Sequence, residues 1–151
     1  MTASAGRPAD RVTLRVPGLA QYVGVIRLAV AGIASQTGYS FDLAEDLKLA
    51  VTEACSYLIR QARSETALQV DFDCTPESVS IDVISTTVAS DSPREHTGGV
   101  AGDRLPDFAL DDFDVGLTLV EALMDTTTLS SEDSGRTCLH MTHALNGEGR
   151  P

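Results

Sequence analysis

Apolar and polar positions along the chain follow two alternating rhythms. From Asp10 to Val16, Val12, Leu14 and Val16 fall on one side and Thr13 and Arg15 on the other, the period-two pattern of a half-buried strand closed by Pro17-Gly18. From Leu19 to about Gln36 the spacing changes to threes and fours (Val23, Ile26, Val30, Ile33), which predicts a helix with Gly38 as its C-terminal cap. Ser40 is placed to cap a second helix, with Asp42 in the first turn where a negative charge suits the helix dipole. Its apolar face runs Leu43, Leu47, Ala50, Val51, Ala54, Leu58, to about Ala62. Leu68, Val70 and Phe72 then alternate, as do Val79, Ile81 and Val83, with Thr75-Pro76-Glu77-Ser78 turning between them, which predicts a hairpin. Helical spacing returns from Phe113 to Met124, and two last strands, Thr126–Ser130 and Thr137–Leu145, flank the turn Glu132-Asp133-Ser134-Gly135.

The order β-α-α-β-β-loop-α-β-β predicts an α+β fold. It is a two-layer sandwich, a mostly antiparallel mixed sheet covered on one face by three helices. Residues 1–9 and 146–151 read as tails and residues 10–145 as a single domain, with no repeat and no interdomain linker. The stretch from 87 to 112 has no sustained periodicity and holds Pro93, Gly98, Gly99, Gly102 and Pro106. A loop of that length is functional or disordered.

At 151 residues the chain has the length of one domain, and 42% hydrophobic residues suffice for a packed core. Eleven basic against twenty-two acidic side chains leave a net charge of −11, with Lys48 as the sole lysine. That balance argues against direct nucleic-acid binding and for a partner with a basic surface. No stretch approaches the ~20 apolar residues of a membrane span, and the N-terminus lacks the pattern of a secretory signal, so a cytoplasmic location is expected. Cys55, Cys74 and Cys138 are odd in number and widely spaced, which predicts buried apolar thiols rather than a disulfide framework or a redox switch. His140 and His143 lie three apart on a strand and point to opposite faces, while His96 is alone in the loop, so no metal site is expected. No phosphate-binding Gly-Lys loop and no nucleophile elbow occurs either.

Two segments carry a family resemblance. Leu43-Ala44-Glu45-Asp46-Leu47-Lys48-Leu49-Ala50, continuing into Val51-Thr52-Glu53-Ala54-Cys55-Ser56-Tyr57, resembles the second helix of RsbW/SpoIIAB-type anti-sigma factors. These are bacterial serine kinases with the GHKL (Bergerat) ATP-binding fold. Gly116-Leu117-Thr118-Leu119-Val120-Glu121-Ala122-Leu123-Met124-Asp125 resembles the family's Gly-rich segment and following helix. The order of elements agrees from about Val12 to Leu145.

What the resemblance implies for the nucleotide site is largely loss. The family's second helix carries Glu-x-x-x-Asn, a general base and an amide that coordinates Mg²⁺; here Glu53 matches the Glu, but Tyr57 stands at the Asn position. An Asp-x-Gly-x-Gly after the third strand holds adenine, and its key positions fall on Ser85, Thr87 and Ala89. A Gly-x-Gly before the last helix cradles phosphate; Gly116 matches its second glycine, while Asp114 replaces the first and would repel phosphate. The positions Tyr57, Ser85, Thr87, Ala89, Asp114 and Gly116 therefore read as a vestigial nucleotide site, with no catalytic residue assigned and no cofactor expected. Mg·ATP, with Glu53 as base, belongs to the alternative of an active kinase. Glu53 otherwise reads as a helix-surface carboxylate.

The resemblance also implies partners: an alternative sigma factor, an anti-sigma antagonist of STAS type that competes for the same surface, and a homodimer through the first strand's edge. The family's partner-contacting arginine on the first helix matches Arg27, expected opposite the Val23/Ile26/Val30 face; an arginine on an amphipathic helix is otherwise simply solvated. Between Ser90 and Asp114, seven acidic side chains face two basic ones in place of the family's ATP lid. Either this is a solvated loop, or Asp107, Asp111 and Asp112 speed association with a basic partner. A stand-alone acidic binding module for another regulator is the reading from a different class.

Overall fold

The computed structural model describes residues 10–88, 115–132 and 134–145. Ala89, Asp114, His96, the acidic segment with Asp107, Asp111 and Asp112, and both tails lie outside the described residues. Strand β1 spans Asp10–Pro17, followed by a 3₁₀ turn at Ala20–Tyr22, helix α1 at Val23–Thr37 and helix α2 at Phe41–Gln61. Strands β2 (Thr66–Cys74) and β3 (Ser78–Thr87), helix α3 (Val115–Leu123), and strands β4 (Thr126–Glu132) and β5 (Arg136–Ala144) complete the chain.

The predicted α+β sandwich is the fold that forms. The five strands make one sheet in the order β1-β2-β3-β5-β4. Every neighbouring pair is antiparallel, so the sheet is simpler than the mixed one expected. The register follows from side-chain parity. Val12, Phe72, Ile81 and Met141 lie in one row across four strands, and Leu14, Val70, Val83 and Leu139 in the next. Both rows meet the buried stripes of the helices: Ile26 and Val30 of α1, Leu47, Val51, Ala54 and Leu58 of α2, Val120 of α3. Helix α2 packs against both α1 and α3 and is the centre of the helical layer.

Local signals set the boundaries. Gly38 takes the left-handed conformation (φ +78°) and its N–H bonds Ala34 O at 3.1 Å, the C-terminal cap that a side chain would strain. Ser40 Oγ accepts from Leu43 N at 3.1 Å, as expected of an N-cap. Thr75 Oγ1 accepts from Ser78 N at 3.0 Å and Glu77 N at 3.2 Å, which fixes the β2–β3 turn. The first helix starts later than its apolar spacing suggests, because residues 20–22 form a separate 3₁₀ turn after the Pro17-Gly18 exit from β1. Gly18 is required there: its N–H bonds Thr66 O at 2.8 Å, and a Cβ would collide with the Thr66 hydroxyl and carbonyl. Strand β1 is one edge of the sheet, as expected, and β4 is the other. Among the described residues no helix is long and apolar enough to cross a membrane.

The opposite face of the sheet is polar and crosslinked. Arg11 donates to Asp71 at 3.0 Å and approaches Asp73 at 3.5 Å, and Gln69 Nε2 donates to Asp71 at 3.1 Å. Burial pushes the Asp71 carboxyl up, but hydrogen bonds from Thr13, Arg11 and Gln69 outweigh it and hold Asp71 below the usual carboxylate range. A depressed folded-state pKa gives stability that is fully present above the unfolded value of about 4 and is lost as pH falls through the folded value. We expect acid unfolding of the wild type to steepen below about pH 4 and Asp71→Asn to flatten that part of the curve. Superimposable acid limbs in circular dichroism would remove Asp71 from the account.

The thiols follow expectation in two cases of three. Cys55 is fully buried, and burial pushes its thiol up to about 12; Cys74 is also buried and raised, by burial first. Cys138 departs from it: it is half-buried on the polar face, its Sγ 3.8 Å from Asp82 Oδ1, because residue 138 has the parity of that face. Burial and the Asp82 charge both raise its thiol, so it too is held protonated. His140 pairs with Asp82 on the same face, while His143 points away from it and bonds the Ala144 carbonyl. No cluster of three metal-ligating side chains occurs among the described residues.

Candidate functional site: the cavity at the end of α2 and the outer face of α1

One turn of helix separates Glu53 from Tyr57 and another separates Tyr57 from Gln61, so the three follow one another along one side of α2. Tyr57 is half-buried and packs against the hydrophobic core, and Glu53 is likewise half-buried. At the C-terminal end of this row a cavity of about 260 Å³ opens between α2, the ends of β2 and β3, and the β4–β5 turn. Leu58, Gln61, Ser85, Thr87, Gly135 and Thr137 are among the residues that line it.

Two of the three positions assigned to base recognition, Ser85 and Thr87, thus meet in one cavity. Ser85 is buried on β3 at 6% exposure and pairs across the ladder with Thr137. The polar side chains lining the cavity are hydroxyls, the Gln61 amide and Arg63, with no carboxylate among them. Thr87 is fixed more tightly. Its backbone N–H and its Oγ1 both donate to the Gly135 carbonyl, each at 3.1 Å. Gly135 itself is left-handed (φ +88°), and a Cβ there would come within 2.7 Å of Thr87 Oγ1. The Thr87 hydroxyl is therefore tied to the β4–β5 turn at the exposed end of β3.

Glu53, Tyr57 and Gly116 do not line this cavity. Gly116 is buried in the first turn of α3 rather than in a loop before it. Sequence reasoning missed Gln61, Gly135 and Thr137. Thr137 is set beside Ser85 by the β3–β5 register, a long-range pairing that no local pattern supplies. Gln61 follows from continuing the Glu53–Tyr57 spacing by one more turn.

Arg27 is exposed on α1, but it is not opposite the buried stripe. Each residue of a helix is rotated by about 100° from the last, so Arg27 flanks Ile26 and Val30 while Leu28 and Gly32 occupy the outermost positions. The periodicity locates the buried stripe correctly; the error is one of angle on the remaining face.

Comparison with known proteins agrees with this fold. The histidine kinase-like ATPase domain matches residues 16–143. A serine-protein kinase RsbW of Bacillus subtilis is 34% identical over 93% of this chain and 89% of that protein. One from Bacillus licheniformis is 36% identical over 94% and 90%, and one from Halalkalibacterium halodurans 34% identical over 83% and 78%. The chain is therefore an RsbW-type member of the histidine kinase-like ATPase family.

Proposed function

We propose that the chain is a cytoplasmic anti-sigma factor that sequesters an alternative sigma factor by stoichiometric binding and yields it to a STAS-type antagonist, without itself binding Mg·ATP or phosphorylating the antagonist. The observation that carries this reading is Thr87 bonded twice to Gly135 at a position where adenine recognition calls for glycine. Tyr57 in place of the metal-binding amide and Ser85 in place of the carboxylate point the same way. Sequestration needs only surface, and Arg27 on α1 is the residue assigned to contact partners; β1 offers an edge for a second copy. Control then lies in the antagonist's abundance or in its modification by another enzyme.

A second reading keeps kinase activity, favoured by Glu53 at the general-base position and by relatives that are named serine-protein kinases. The separating experiment mixes the purified chain with each sigma factor and each STAS-type protein of its source organism, with and without radiolabelled Mg·ATP. One sigma factor should form a complex that resists dilution and that one antagonist dissolves, with no label transferred. Label on a serine of the antagonist would establish the kinase, and binding of no sigma factor would leave the acidic-module reading.

A further inference from the structure

The helix-facing side of the sheet changes chemistry at one end. Two of its rows are apolar throughout, but the next runs Val16, Leu68, Ser85, Thr137, and beyond it Thr66 faces Thr87. Four hydroxyl residues on three strands thus stand where core patterning calls for apolar side chains, and all four line the cavity at the end of α2. Thr66 and Ser85 are buried, at 7% and 6% exposure. Neither the Thr66 nor the Ser85 hydroxyl has a hydrogen-bond partner among the described residues. A buried hydroxyl left unpaired costs stability, so two in one cavity ask for a partner that the chain does not supply. The charge of the lining is also unlike that of the rest of the chain. Acidic side chains outnumber basic ones by twenty-two to eleven, yet no carboxylate is among the lining residues and the Arg63 guanidinium is. Arg63 is exposed and makes no ion pair among the described residues.

We propose that this cavity binds a small hydroxylated oxyanion, a molecule with one carboxylate or phosphate group on a body of a few carbons. The volume sets the size. About 260 Å³ equals roughly nine water molecules and lies below the range of about 300–1,000 Å³ typical of sites for drug-sized ligands. The exposed Arg63 takes the oxyanion, because a guanidinium matches the paired oxygens of either group. The buried hydroxyls take the ligand's own hydroxyls, since each can both donate and accept. Gln61, exposed at the same side as Arg63, offers an amide to either part. A net charge of −11 opposes a polyphosphate and suits a ligand whose charge one guanidinium can offset. This assignment rests on the nucleotide-free reading and names what the cavity holds instead.

The test titrates the full chain calorimetrically with glycerol phosphate, malate and inorganic phosphate, with glycerol as the uncharged control and Mg·ATP alongside. Glycerol phosphate or malate should bind one to one with a Kd below about 1 mM, and glycerol should not. At about 100 times that Kd the bound probe should raise the Tm by roughly 5–10 °C. Arg63→Ala should leave the ligand-free Tm unchanged and weaken binding by roughly tenfold or more. Ser85→Ala should hold or raise the ligand-free Tm while weakening binding roughly tenfold, a combination that a purely structural serine does not give. Binding of glycerol phosphate alone assigns the oxyanion to a phosphate ester, and binding of malate alone to a carboxylate. Inorganic phosphate bound as tightly as either, and unaffected by Ser85→Ala, would reduce the site to an ion on Arg63 and overturn the proposal. If no probe binds below about 1 mM and Mg·ATP does not bind, the proposal is wrong and the nucleotide-free reading stands. If Mg·ATP binds, both are wrong.

Discussion

Titration of the folded chain with Mg·ATP into the millimolar range is expected to give no saturable heat, and Tyr57→Asn alone is expected to change nothing. The first half follows from metal chemistry. Mg²⁺ takes compact oxygen ligands in a near-octahedral shell at about 2.1 Å, and an asparagine amide on a helix can supply one while a phenol, longer and bulkier, cannot take the same place. Tyr57 is also committed elsewhere, packed against the core. The second half follows from the rest of the pocket. Restoring the amide leaves unchanged Ser85 and Thr87, the residues that the proposed match sets at the base-binding positions. The Thr87 hydroxyl stays tied to the Gly135 carbonyl by its 3.1 Å hydrogen bond. Micromolar, Mg²⁺-dependent binding by the wild type would overturn the nucleotide-free reading and make Glu53→Gln the next variant. Recovery by Tyr57→Asn alone would mean that residues 85 and 87 have been matched to the wrong positions of the motif.

How much of this was legible in the sequence depends on the range of the interaction involved. Gly38 and Ser40 were readable because caps are local: each satisfies backbone groups within four residues of itself. The buried faces of α2 and of the β2–β3 hairpin were readable because one-sided burial imposes a period. The sheet's full antiparallel pairing was only partly readable, since the place of β5 between β3 and β4 depends on a connection that returns from far along the chain. Cys138 was misjudged for a related reason. An apolar thiol on a strand is expected to face the core, whereas strand parity places this one beside Asp82 and His140. In the pocket, Ser85 and Thr87 could be named from the motif, but the group that closes on Thr87 is the carbonyl of Gly135, forty-eight residues away. No local pattern announces a contact of that span. Arg27 shows the remaining kind of error: it lies exposed on the first helix, but at a different angle around the axis from the one expected.

The largest stability effect is expected at Phe72. It is 1% exposed, stands among the largest fully buried side chains, and sits in β2 between Val12 of β1 and Ile81 of β3. Phe72→Ala removes transfer free energy and leaves a cavity that a sheet ladder held on both sides cannot close, a loss of about 3–5 kcal/mol. Against a total stability of about 5–15 kcal/mol this is a large share, and for a domain of this size it lowers the Tm by ~10–20 °C. Phe72→Leu keeps most of the volume and should lose far less. A drop below ~3 °C for Phe72→Ala would mean that the core is not organised around this row. The same variant also separates scaffold from surface. Phe72 is buried in β2 and is neither on the exposed side of α1 nor among the cavity's lining residues, so at temperatures where Phe72→Ala is still folded its partner affinity should equal that of wild type. Arg27→Ala should behave in the opposite way, keeping its Tm and weakening partner binding. A chain that lost binding in both variants to the same degree, while folded, would require α1 to be held in its binding conformation by the core beneath it. The α1 face would then be a property of the whole sandwich rather than of one helix.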